Sequence, residues 1–356
     1  LAAVIAGVPF ALSLLAGHIP SFLYVGIVWA AFAIYLFISQ PGERMGVARA
    51  AIVAGIVGLA LAAVQLVPFL QFSATSGRVA EADFEFATDY SLPPAHLITL
   101  IIPEFFGEPL RVGYWSVPTF EELTYYAGLL AVLGIILALR RPNRLTWFYI
   151  VLIVLGLGLA LGRYGVLYEL AYRFLPPFRL VRAPGRAAFL YLFAASALLA
   201  HTLTIWRNMP AAQRRQLLRP YWLIATCVLG IALFAALAAT GAVFMSVHPT
   251  DTSGRLWHQI GGYSLALVVV GIGGALVWAY LMSDRTKPSS WPITDERVST
   301  AARPVPLYSR RAIVIAAALV LLVAADTWWF SFKMVRTAST APDSVWTDGR
   351  ALVASG

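Results

Sequence analysis

The sequence predicts an all-α, polytopic membrane helix bundle of about nine spans, with re-entrant or interfacial helices on its outer face. Three observations predict it. Of 356 residues 60% are hydrophobic and only 12% charged, with a mean hydropathy of +0.77, whereas a soluble domain carries about 25% charged residues. Apolar runs close to the ~20 residues that a bilayer core requires recur along the whole chain. Basic residues gather in alternate connections between those runs.

Taken in order, the apolar runs are 1–16, 22–39, 49–70, 125–139, 145–162, 187–206, 221–243, 261–282 and 312–330. The fourth is short, and Glu121 to Thr124 are read as extending it. The chain opens apolar at Leu1 without an initiator Met, so it is expected to begin inside a longer protein, and no signal peptide can be judged from it. Cys227 is the single cysteine and can form no internal disulfide.

Four connections set the orientation. QPGERMGVAR carries Arg44 and Arg49, RRPNR carries Arg140, Arg141 and Arg144, and WRNMPAAQRRQLLRP carries Arg207, Arg214, Arg215 and Arg219. The loop 283–311 adds Arg285, Lys287, Arg297, Arg303, Arg310 and Arg311. By the positive-inside rule these four are cytoplasmic. The bundle then covers 1–332, and 333–356 begins an extracytoplasmic segment. Outside lie the interval 73–124, the interval 163–186 and the loop 244–260.

The interval 73–124 is acidic in a protein of net charge +9. It holds Glu81, Asp83, Glu85, Asp89, Glu104, Glu108, Glu121 and Glu122 against Arg78 and Arg111. Pro93 and Pro94 fix an extended entry, and HLITLIIPEFFG reads as a re-entrant or interfacial segment that protein must cover, since lipid cannot satisfy irregular backbone. Phe105, Phe106, Tyr114, Trp115, Tyr125 and Tyr126 read as an interfacial aromatic belt or as a sugar-stacking surface. His96, Glu104, Glu121 and Glu122 are candidate general bases toward a hydroxyl acceptor, although Glu121 and Glu122 also suit a helix N-terminus.

The interval 163–186 is basic, with Arg163, Arg173, Arg179, Arg182 and Arg186 against Glu169. Its first half has helical apolar spacing suited to the interface, where Glu169 and Arg173 are i,i+4 partners. Pro184 suits the first turn of the next span. Arg182 and Arg186 then flank a helix N-terminus, which disfavours cations unless an anion lies between them. Arg163, Arg179, Arg182 and Arg186 are therefore candidate ligands for a phosphate or diphosphate. Equally, they neutralise the acids of 73–124 or meet bulk lipid phosphates. Both readings place the two outer intervals face to face.

Asp326 lies deep in the last span, where an acid needs a cavity or a cation, and the arginines of 179–186 are its expected partners. His18, His96, His201, His248 and His258 show no metal-ligand spacing, although the acidic loop offers oxygens to a divalent cation. No Walker A, GxSxG or GxGxxG pattern occurs.

The stretches AGHIPSFLY, VQLVPFLQFSATSGR, YSLPPAHLITLIIPEFFG, LALGRYGVLYELAYRFLPPFRLVRAPGR and ADTWWF, in this order and spacing, resemble the bacterial YfhO-type membrane proteins of the GT-C glycosyltransferase-like group. The resemblance spans most of 1–190 and returns near 320–332. It implies an enzyme of the bacterial cytoplasmic membrane that takes a sugar from a polyprenyl-phosphate donor. The sugar goes, on the extracytoplasmic face, to an envelope polymer such as a teichoic acid, or to a lipid. It also implies a catalytic acid in an outer loop preceding Leu1 and an outer domain after the last span. GHIPS departs from the GHPQ-like form that the resemblance leads one to expect. A transporter of lipid-linked intermediates and an inert scaffold subunit stay open as alternatives.

Overall fold

A computed structural model describes residues 2–75, 83–107, 114, 116, 120–179, 181–218, 252–283 and 310–339, and all regular structure among them is helical. The longer helices are α1 (Ala2–Leu15), α2 (Ile19–Ser39), α3 (Arg44–Thr75), α4 (Leu129–Ala138), α5 (Arg144–Ala160), α6 (Val166–Phe174), α7 (Phe189–Asn208), α8 (Ala211–Leu218), α9 (Thr252–Met282) and α10 (Arg310–Ser339).

Among the described residues, five stretches are long and apolar enough to cross a membrane: Ile19–Ser39, Pro41–Ser73, Pro184–Asn208, Ser264–Met282 and Arg310–Trp328. Three expected spans are instead shorter apolar helices, α1, α4 and α5. The runs 221–243 and most of the loop 283–311 lie outside the described residues. The fourth run is not extended back to Glu121. Phe120–Leu123 makes its own turn, residues 124–128 are non-helical, and Gly128 has φ +85, a left-handed conformation that ends helical continuity and favours glycine. At the other end α10 runs on past residue 332 to Ser339.

The chain divides into two units. The first comprises Leu1–Pro103, Ser116–Ala127 and Gly134–Leu198. Within it α1 lies against α3 at backbone contact: a Cβ on Gly7 would stand 2.7 Å from the Ala54 carbonyl, and one on Gly58 3.0 Å from the Gly7 carbonyl. Small residues are how helices in lipid gain close packing. Phe10 fills the flank of this contact, stacked on Trp29 at 5.4 Å and tilted against Phe22 at 4.9 Å. Ile52, Ile56, Val64 and Phe72 of α3 stay exposed, as a lipid-facing side requires. α5 starts at Asn143, whose side chain accepts from Thr146 N at 2.8 Å, a standard N-cap. It crosses the entry to α7 at Gly156, where a Cβ would lie 2.6 Å from Leu190 Cβ.

The second unit comprises Glu104–Trp115, Gly128–Leu133 and Leu199–Gly356. α9 packs on α10 and α8 packs on α9. Asp326 of α10 accepts a hydrogen bond from Leu129 N at 3.3 Å. The first turn of α4 therefore supplies it with a backbone donor at a positive dipole end.

Candidate functional site

The site is built where three segments of the first unit meet backbone to backbone. Asp83 caps a single turn, Phe84–Ala87, by accepting from Phe86 N at 2.8 Å. The chain then passes through Tyr90 at φ 57 and docks: Leu92 N donates to Ala160 O at 2.8 Å, and Gly185 N to Tyr90 O at 3.1 Å. Ser91 Oγ donates to Thr88 O at 2.5 Å and accepts from Arg163 N at 3.0 Å. Two glycines make this approach possible. A Cβ on Gly185 would meet Tyr90 O at 2.7 Å, and one on Gly162, at φ +50, would collide with Ser91 Oγ. Ala183 also adopts a left-handed φ of 64, unfavourable for a residue with a Cβ.

Docking brings residues of the acidic and the basic interval face to face through ion pairs. Asp89 holds two arginines, Oδ1 with Arg163 Nη2 at 3.1 Å and Oδ2 with Arg182 Nη2 at 2.5 Å. Arg163 is tied down further by donation to Thr88 O and Glu85 O, each at 3.3 Å. The Arg182 guanidinium lies over the Phe86 ring at 4.3 Å and the Tyr90 ring at 5.1 Å, a cation–π position. Its Nε is buried and meets no acceptor among the described residues.

Arg186 is satisfied differently. It forks onto Glu122, with Nε to Oε2 at 2.8 Å and Nη2 to Oε1, the two-pronged geometry that guanidinium and carboxylate favour. Arg186 Nη1 also lies 3.2 Å from His18 Nε2. On the other side of the ring, His18 Nδ1 accepts from Ser21 N at 3.3 Å, capping α2, and lies 2.7 Å from Ser21 Oγ. Burial and the Arg186 charge both hold His18 below its ordinary pKa, against an upward pull from Glu122. Hydrogen bonding from Arg186 lowers the Glu122 carboxyl, which burial partly opposes. Burial, then the Glu122 charge, raises the nearby Tyr125 hydroxyl.

The remaining candidates fall elsewhere. Arg179 donates to the carbonyls of Tyr172 at 3.0 Å and Arg173 at 2.8 Å, so it closes the C-terminus of α6. Arg173 pairs with Glu169 one turn away. His96 is 1% exposed in the turn Pro94–Leu100, with Nε2 2.6 Å from Ser116 Oγ. Burial lowers its pKa to about 4 against the Leu123 backbone, so the ring is neutral at physiological pH. Glu104 lies in a turn of the second unit. Glu121 has helical backbone, and its side chain lies outside the described residues. No group of three metal-ligating side chains converges among the described residues.

Asp89 and His18 are members of this cluster that the sequence did not single out as site residues. Asp89 is one of eight acids in its interval, and its partners stand 74 and 93 residues later. No local spacing marks it. In the ion pairs among the described residues, three guanidinium groups of this cluster meet two carboxylates. No known family model matches the chain, nor does any curated protein or solved structure.

Proposed function

We propose that this chain is the membrane part of a glycosyltransferase-like protein. It takes a sugar from a polyprenyl-phosphate donor and passes it, on the extracytoplasmic face, to an envelope polymer or lipid. One observation carries the reading: Arg163 and Arg182 share the single carboxylate of Asp89, leaving positive charge beside the start of a membrane-crossing helix at Pro184. Guanidinium groups recognise phosphate oxygens by charge-assisted, planar hydrogen bonding. Positive charge there also stabilises a leaving phosphate as a glycosidic bond breaks.

A second reading has its own support. Arg163, Arg182 and Arg186 each contact a carboxylate of the acidic interval, which is what an inert scaffold with a neutralised outer face requires. Binding of a polyprenyl-phosphate sugar to the purified full-length protein, with polyprenol as control, separates them. Phosphate-dependent binding that is lost in the folded Arg182→Gln, Arg186→Gln double variant supports the glycosyltransferase-like reading, and a transfer assay then distinguishes it from a transporter. Equal binding of both lipids favours the scaffold.

A further inference from the structure

We propose that Asp89 is a built-in competitor for a phosphate site made by Arg163 and Arg182, and that a phosphate monoester or diphosphate displaces its carboxylate from both. The proposal rests on the phosphate reading above. It narrows the arginine set to one pair and says what the ligand must displace.

The two kinds of ion pair in the cluster differ in how easily they open. Glu122 engages Arg186 through both oxygens on one guanidinium edge. That pair is closed and neutral. Asp89 instead gives one oxygen to each of two arginines, so each arginine meets its carboxylate through a single oxygen, and one carboxylate charge faces two cations. Neither arginine pairs with a second carboxylate among the described residues. A phosphate offers three oxygens and up to two charges, which matches two guanidinium groups where a carboxylate does not.

Both arginines are held in place by contacts independent of Asp89. Arg163 donates through Nε to Thr88 O. The Arg182 guanidinium is stacked over Phe86 and Tyr90. The side chains of Asp89, Arg163 and Arg182 are 38–40% exposed, so exchange needs no opening of the core. The left-handed backbones at Tyr90 and Ala183 sit next to Asp89 and Arg182 in sequence. They show that this geometry is imposed by the docking of the segments rather than by local preference.

The test compares the full-length protein with Asp89→Asn in detergent or nanodiscs. Its probes are a polyprenyl phosphate, the matching polyprenol and inorganic diphosphate. Removing the competing charge is expected to tighten polyprenyl phosphate binding about tenfold, the equivalent of one charge-assisted hydrogen bond, with no change for polyprenol. Tightening confined to the lipid assigns the site to a lipid headgroup, and tightening for diphosphate as well assigns it to phosphate chemistry from either source. Asp89→Glu should restore the original affinity. Should Asn impair folding, hydrogen exchange on the unsubstituted protein reads the same event: the Thr88–Tyr90 amides exchange faster when the phosphate lipid binds. Affinity that is unchanged or weaker in Asp89→Asn, or slower exchange on binding, overturns the competitor while leaving the phosphate site intact. Failure of every phosphate probe to bind the wild type overturns both.

Discussion

Arginine does opposite jobs in the two units. In the first, Arg163, Arg182 and Arg186 stay partly exposed and answer to carboxylates contributed from far away in the sequence. In the second, Arg207 is 3% and Arg214 7% exposed, and both turn toward backbone. Arg207 Nη1 donates to Tyr280 O and, at 2.9 Å, to Ser283 Oγ, while its guanidinium lies 4.3 Å over the Tyr280 ring. Arg214 Nη1 donates to Leu281 O. These carbonyls are the last of α9, the negative end of a helix dipole. The lesson is that charge alone does not identify a ligand site. A cation on carbonyls at a helix end serves the fold, whereas cations that share a carboxylate at a half-open surface are those on which the phosphate proposal rests. The comparison also refines the topology reading, because two of the arginines counted as cytoplasmic loop charges cap a helix.

The largest expected effect comes from breaking the buried member. Arg207→Ala removes two charge-assisted donations and a stacked cation, and should lower stability by about 3 kcal/mol or more. Reversible unfolding in mixed micelles measures it. The Tyr280 carbonyl and the Ser283 hydroxyl do not titrate between pH 4 and 8, so the part of the loss that these two donations carry should be independent of pH there.

Acid should act on the first unit. His96 has its pKa depressed from 6.5 to about 4, so the unfolded chain takes up the proton first. Its contribution is complete above pH 6.5 and lost as pH falls toward about 4, roughly 3 kcal/mol over that window. His96→Gln should flatten that part of the stability–pH curve. His18, also depressed, contributes in the same direction.

A smaller, more acidic step belongs to Glu122. Its lowered pKa gives stability that is present above its unfolded value of 4.5 and lost as pH falls through the folded one. Glu122→Gln removes this step and leaves the half-buried Arg186 without its carboxylate, at a cost of about 2 kcal/mol near pH 7. A loss as large as that of Arg207→Ala would erase the distinction between the two regions.

The smallest effect is at the surface pair. Arg173 and Glu169 are 66% and 40% exposed on one helix face, so Arg173→Ala should shift stability by less than about 0.5 kcal/mol.

Several of these features were legible before any coordinates. Eight of the nine apolar runs fall on helices, although only five stretches have spanning length, and the Glu169–Arg173 pair followed from helical spacing alone. The facing of the acidic and basic intervals was readable from their opposite charge. Which acid meets which arginine was not. Glu122 looked like a helix-terminal acid, and Asp89 like one of eight equivalents. The break at 124–128 escaped notice because Thr124 to Ala127 are compatible with helix, and only the left-handed Gly128 declares the end.

The sequence by itself determined a helical membrane protein, the approximate position of its helices and two charge blocks of opposite sign. Those properties are sums over neighbouring residues, and neighbouring residues are what a linear chain displays. Only the tertiary structure decided the pairing. Asp89 meets Arg182 across 93 positions and Glu122 meets Arg186 across 64. Such contacts depend on Gly162 and Gly185 letting separate segments touch at backbone distance. Hydropathy and periodicity carry no record of that convergence.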